Sequence, residues 1–244
     1  MGKAGGSGEA AENTCEAISR CVSLRAAAGV QLAVEVDLRL SAEGQLVALH
    51  DARLERTTDG VGLVRQHDLG VLRRLKAGPR GERVPTLAEV VEAAGDCPLL
   101  LDLHDDDVAA ATAVVRDLRQ LRGARRELLW VASEHARVIA TVREVDPTLQ
   151  TAATKREAWS KLLLGRLGLG RLAPRGHVWI VPEHHAGLRV VTPRFIEQAR
   201  LAGDDVWVFV VDDAAALVRL RDWGAAGCLT TRPEQLAAAL GRSY

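Results

Sequence analysis

Short apolar runs alternate with longer amphipathic segments along most of this chain. The runs are LAVEVDL (32–38), PLLLDL (98–103), ELLWVA (127–132), TLQTAA (148–153), HVWIVP (177–182), VWVFVV (206–211) and GCLTT (227–231). Each has the length of a strand, and their near-continuous aliphatic character predicts strands buried on both faces. Between them lie DVAAATAVVRDLRQLR, EHARVIATVREV, TPRFIEQARLAG and DAAALVRLRDWG, with apolar residues at i, i+3 and i+4 and Arg or Glu between. That period predicts helices with one buried face. Thr192-Pro193 reads as an N-cap followed by proline in the first turn, and Gly203 as a helix stop.

Strand–helix alternation implies parallel strands joined by helical crossovers. About seven strands are legible, and no Gly-rich dinucleotide fingerprint follows the early ones. The pattern favours a TIM (β/α)8 barrel over a doubly wound sheet. Polar, Gly-rich GKAGGSGEA occupies the place of a first strand, so that strand is expected to be truncated or degenerate. Residues 41–95 break the rhythm with a hairpin pattern (SAEGQLVALHD), a Thr/Gly-rich stretch (ERTTDGVG) and a helix entry at Pro85-Thr86. They read as a long insertion after the Glu-x-Asp strand, within one barrel domain spanning 1–244. Inserts at the carboxyl ends of barrel strands often build active sites.

Composition narrows the function. Lys plus Arg and Asp plus Glu each number 32, so the chain has no overall bias towards nucleic acid, and aromatics at 3% argue against base stacking. Cys15, Cys21, Cys97 and Cys228 lack metal-ligand spacing and read as reduced, small apolar residues. The start has no signal-like apolar stretch, and no run is long enough to span a bilayer. The expectation is a soluble chain, cytoplasmic or peripheral to a membrane.

Chemistry concentrates in a few acids and histidines. Residues i and i+2 of a strand share a face, so Glu35 and Asp37 project together. Adjacent carboxylates repel and resist desolvation, and a hard divalent cation, Mg²⁺ or Ca²⁺, would resolve both problems. A solvent-facing edge strand would also tolerate them. Asp102 interrupts another apolar strand, with His104 on the same face, and is a plausible third ligand. Asp105, Asp106 and Asp107 suit the N-terminus of the following helix. His50 ends the LVAL run beside Asp51 and is a candidate acid or base, or a structural residue. The segment 155–176 mixes Leu with Lys and Arg and is either an ordinary connection or a peripheral membrane contact. His184-His185 falls at a strand's carboxyl end, from which it could reach the barrel mouth, but reads as loop without a role.

VEVDLRLSAEGQLVALHDARLERTTDGVG followed by VPTLAEVVE resembles the glycerophosphodiester phosphodiesterase family. The upstream GGSGEAAENTCEAI is similar to that family's first segment, and VWVFVVDD and CLTTRPEQL to its closing strands. The resemblance implies a TIM barrel that hydrolyses glycerophosphodiesters to an alcohol and a glycerol phosphate with Mg²⁺ or Ca²⁺. It implies Glu35, Asp37 and Asp102 as metal ligands, Asp at the third place being similar to animal-type members. His50 becomes one of two acid/base histidines, and His104 and Phe209 take substrate- or phosphate-binding places. Lys3 and Ala4 stand where the family has a His-Arg pair, so Lys3 is an imperfect stand-in for the first histidine. The implied partner is a small glycerophosphodiester or a related lysophospholipid. A catalytically impaired binding barrel is the alternative.

Overall fold

The strand VEVDLRL (β1, Val34–Leu40) has six of its seven residues buried, because both of its faces are covered. The computed structural model describes residues 1–5, 10–28, 33–119, 121, 124–166 and 178–241. A short strand β2 (Leu46–Ala48) returns antiparallel along β1, with Leu38 opposite Ala48, as the hairpin pattern predicts. On its other edge β1 runs parallel to β3 (Leu99–Leu103), which pairs with β4 (Leu129–Ala132), which pairs with β5 (Gln150–Thr151). A second parallel sheet holds β6 (Val178–Pro182), β7 (Asp205–Phe209) and β8 (Gly227–Cys228).

Single bridges join the edges of these sheets into a ring. Ala152 bridges to Val178 on one side, and Gly2 bridges to both Val34 and Thr230 on the other. The missing first strand is therefore present as residues 1–3. Gly2 donates to the Ala33 carbonyl (2.8 Å), Glu35 N to Gly2 O (2.9 Å), Lys3 N to Thr230 O (2.8 Å) and Thr230 N to Met1 O (2.9 Å). Met1 packs its side chain against the cluster of Leu100 and Leu229, but Gly2 and Lys3 show no apolar period and the segment is held by backbone bonds, which is why periodicity did not reveal it.

Outward-facing Val34, Val36, Leu38, Leu99, Leu101, Leu129 and Val131 form the larger core with the helices. Those helices are α1 (Cys15–Ala28), α2 (Leu87–Ala94), α3 (Val108–Leu118) and α4 (Ala136–Val145), with α1 packed on α2 and α3 on α4. Around the second sheet lie α5 (Lys155–Arg166), α6 (Pro193–Leu201), α7 (Ala214–Asp222) and α8 (Pro233–Gly241). Thr192 caps α6 through Phe195 N with Pro193 in the first turn, and Gly203 beyond its end has φ +77°, as expected.

The stretch 41–95 builds its own small core from Val47, Leu49, Leu54, Val64, Leu72, Ala77 and Val84. It closes on a capping box in which Thr86 and Glu89 satisfy each other's backbone N–H groups at the start of α2. Gly78 brings this layer against the segment before α1. Its φ is +64°, and a Cβ there would lie 2.3 Å from that of Ala11.

One buried ion pair ties α5 to the second sheet: Lys161 donates to Asp204, and its ammonium lies 4.3 Å from the Trp179 ring centre. The two side chains are 3% and 4% exposed. Removing one partner of such a pair strands a buried charge and costs about 3–5 kcal/mol, whereas replacing both by apolar groups is often close to neutral. Lys161→Met is therefore expected to lower the melting temperature sharply, and Lys161→Met with Asp204→Leu to recover most of the loss. A denaturation series on both variants checks this; equal losses in both would contradict it.

Candidate active site

Strand register sets the site. Asp37 of β1 and Asp102 of β3 are direct Cα partners, and Glu35 is opposite Leu100, two residues lower on the same inward face. Parallel neighbours lie about 4.8 Å apart, so the two aspartates stand side by side. One oxygen from each of Glu35, Asp37 and Asp102 lies within 4.8 Å of the others. Two metal–oxygen bonds of about 2.4 Å span the same distance, and three hard oxygen donors suit Mg²⁺ or Ca²⁺. The donor set therefore fits the expected cation. The carboxylates stand at one end of a cavity of about 470 Å³ at the carboxyl end of the barrel, which Lys3, His104 and Phe209 also line.

The carboxylates are held individually. Glu35 Oε2 accepts from Ala4 N at 2.5 Å, and Ala4 takes a left-handed φ of +48° to present that N–H. Asn13 (φ +58°, a conformation Asn tolerates) exchanges two bonds with Asp37: Nδ2 donates to Oδ2 at 2.8 Å and Asp37 N donates to Oδ1 at 3.0 Å. His104 Nε2 lies 2.7 Å from Asp37 Oδ1 and 3.6 Å from Asp102 Oδ2. A carboxylate only accepts, so Nε2 is the donor.

These partners separate the three acids. Burial, then repulsion from Asp37 and Asp102, pushes the Glu35 carboxyl well above the usual range. Burial also acts to raise Asp37, but the bonds from His104 and Asn13 and the charges of His104 and Lys3 outweigh it and hold Asp37 at about 2. Asp102 is raised, chiefly by burial and then by Asp37, against the opposing charge of His104. Burial lowers His104, but the bond to Asp37 and the charges of both aspartates prevail and raise it.

His50 does not line the cavity, but its ring centre is 4.6 Å from that of His104. A ring nitrogen of each of the two histidines and an Asp37 oxygen fall within 4.8 Å of one another. His50 Nδ1 donates to Asp51 Oδ1 at 2.7 Å. Asp51 is gripped by Arg56 through Nε (2.6 Å) and Nη2 (2.9 Å), and Arg56 also binds Glu12 through both terminal nitrogens. The bond from Arg56 holds Asp51 below the usual carboxylate range, so it stays an acceptor and fixes the His50 ring.

Only one of the three adjacent acids caps α3. Asp107 Oδ1 accepts from Ala109 N, Asp106 pairs with Arg137, and Asp105 binds Leu40 N and Arg39. Sequence reasoning passed over Arg39 and Trp159 and favoured a loop without a role for His185 over the barrel mouth. His185 lines the cavity and stacks edge-on against Trp159, with ring centres 5.5 Å apart. Its position after VWIVP was the available signal; Trp159 gave none, since a tryptophan in a helical pattern reads as core. Of the basic segment 155–176, α5 covers 155–166 and the rest lies outside the described residues. Among the described residues no helix is long and apolar enough to cross a membrane.

An acid-lined mouth on a parallel barrel, flanked by two histidines, places three hard oxygen donors beside groups suited to proton transfer. Comparison with known proteins is more specific. A model of the glycerophosphoryl diester phosphodiesterase family matches residues 4–235, and the chain belongs to this family. A glycerophosphodiester phosphodiesterase of Caldanaerobacter subterraneus subsp. tengcongensis is 25% identical over 246 residues, covering 92% of this chain and 90% of its own. Glycerophosphodiester phosphodiesterase 1 of Mus musculus is 32% identical over 169 residues, 64% of this chain and 48% of its own. A glycerophosphoryl diester phosphodiesterase domain from Mycobacterium tuberculosis superposes with a TM-score of 0.81 at 22% identity, covering 98% and 97% of the two chains. An Oleispira antarctica phosphodiesterase, solved with its product sn-glycerol-3-phosphate, gives 0.79 at 24% identity, covering 98% and 94%. These two likenesses show the TIM-barrel fold.

The raised Glu35 carboxyl has a consequence for stability. The folded state binds its proton more tightly than the unfolded chain does, so that contribution is full below the unfolded pKa of about 4.3 and is lost as pH rises. At neutral pH without a cation, ionised Glu35 therefore costs stability. Glu35→Gln is expected to raise the metal-free melting temperature; a gain of about 1 kcal/mol corresponds to roughly 2–4 °C. Mg²⁺ or Ca²⁺ should raise the melting temperature of the parent and leave the variant nearly unmoved. Thermal melts with EDTA and with each cation check both; a Glu35→Gln protein less stable than its parent in EDTA would contradict the reading.

Proposed function

We propose that this protein hydrolyses glycerophosphodiesters to an alcohol and a glycerol phosphate, with a divalent cation held by Glu35, Asp37 and Asp102. The observation that carries the proposal is the convergence of these three carboxylates beside His104 and His50, in a chain of this family. The domain is read as one barrel over 1–244 with its insertion at 41–95, and Asp102 at the third ligand place supports an animal-type ligand set.

A divalent cation held there would supply positive charge to the phosphoryl oxygens. The protein's own residues supply the rest. His50, oriented by Asp51, takes the proton of the attacking oxygen as its bond to phosphorus forms. The bond from phosphorus to the departing alcohol breaks, and that oxygen takes a proton from Lys3, which lines the cavity and stands where the family resemblance implies a histidine. Net, one water is consumed. His104 binds a phosphoryl oxygen while bonded to Asp37, and Phe209 offers its ring to the glycerol from β7, across the barrel from β3.

The substrate reading extends to lysophospholipids. Beyond the carboxylates the lining includes Ser133, Glu134, Thr154 and Lys155 but is mostly apolar, with an arm made roomy by four alanines, Ala132, Ala152, Ala153 and Ala158, with Ile180 and Leu229. That arm suits an acyl chain better than water. Trp159 on its rim is 45% exposed and Leu163, one turn on, 61%. With exposed Lys155 they support peripheral contact of α5 with an anionic lipid surface.

Metal-dependent release of glycerol phosphate from glycerophosphocholine, abolished by EDTA and by Glu35→Ala, is the expected result. Metal binding without release would favour the binding barrel instead. His50→Ala should lower kcat by about 10²–10⁴. Lys3→His, which restores an imidazole, should raise kcat on the order of 10²-fold; a fall would show that the lysine is itself the working group. Ala158→Trp, which fills the apolar arm, should lower kcat/KM for a lysophospholipid relative to glycerophosphocholine, and an unchanged ratio would remove the acyl-chain assignment.

A further inference from the structure

The inward face of β1 carries three charged residues, and the cation accounts for only two. Arg39 continues the series from Glu35 and Asp37, yet it does not line the cavity and its side chain is only 15% exposed. Its Nε donates to the His50 carbonyl at 2.9 Å. Its Nη1 donates to the His104 carbonyl at 3.0 Å and to Asp105 Oδ1 at 3.0 Å. The second Asp105 oxygen accepts Leu40 N at 2.6 Å, so the anion that balances the guanidinium is itself fixed to β1.

We propose that Arg39 is a positioning residue: by bridging the backbones of His50 and His104 it sets the spacing of the two imidazoles and keeps His104 on Asp37. The two histidines follow different strands, β2 and β3, and their backbones are anchored to β1 only near Asp37 and Leu38, through Leu49 N to Asp37 O (3.0 Å) and His104 N to Leu38 O (3.1 Å). Beyond those bonds both segments leave the sheet. Arg39 holds them at that point. A planar guanidinium with several fixed donors reaches two carbonyls and a carboxylate together, whereas a lysine offers one nitrogen. The catalytic consequence rests on the proposed acid/base role of His50, but the geometric consequence does not.

The test uses Arg39→Ala and Arg39→Lys in the full chain, the latter keeping charge and stem if the former does not fold. Two quantities are read: kcat and KM for glycerophosphocholine, and the nuclear Overhauser contact between the His50 and His104 ring protons in metal-free protein. Both variants should lose the ring-to-ring contact and about 10²-fold in kcat with little change in KM. Millimolar guanidinium, but not methylammonium at equal ionic strength, should restore both in Arg39→Ala, a recovery that lost packing alone would not show. A folded variant that keeps the contact and its kcat would overturn the proposal, as would a loss in Arg39→Ala that guanidinium does not reverse. Should the parent protein show no turnover, the functional reading fails while the ring-to-ring contact still decides the role of Arg39.

Discussion

Asp37 and Asp102 are neighbours because β1 and β3 are parallel strands in one register. Everything else at the site answers to that pairing. Two carboxylates one strand apart, with Glu35 beneath them and 3% exposed, form a cluster that the apolar interior around Leu100 and Leu229 does nothing to stabilise. The fold meets this in two ways. Asp37 is made a good anion by Asn13 and His104, whereas burial and the neighbouring aspartates shift Glu35 towards its protonated form.

The segments that serve these acids arrive from distant parts of the chain. Residues 1–3 close the barrel through backbone bonds and bring Lys3 into the cavity. The turn around Asn13 supplies the amide for Asp37, and the insertion supplies His50, Asp51 and Arg56 as one hydrogen-bonded series running on to Glu12. The insertion can do this because it has a core of its own and because Gly78 lets it approach the Ala11 segment. Apolar and small residues, among them Ala132 beside Asp102 on the neighbouring strand, share the cavity lining with these charged groups.

Seven of the barrel strands were legible because each lies in a short, largely apolar run, and the acids were marked because Glu35, Asp37 and Asp102 interrupt such runs. Helix caps at Thr86 and Thr192 were equally plain. Three features stayed hidden for physical reasons. The first strand works through backbone and shows no period. The capping expectation for Asp105 failed because Arg39 and Leu40 N compete for its oxygens, a contact across 65 residues or more that no local pattern encodes. Trp159 gave no signal, since a helical period says which face is turned inward but not that a cavity opens beneath it.

The central claim is that the three carboxylates hold one cation between them. Crystals soaked in Mn²⁺, with an anomalous difference map, test it most directly. The account predicts a single strong peak at about 2.0–2.6 Å from oxygens of Glu35, Asp37 and Asp102. No peak among those oxygens at saturating Mn²⁺, with Lys3 Nζ in its place, would contradict it.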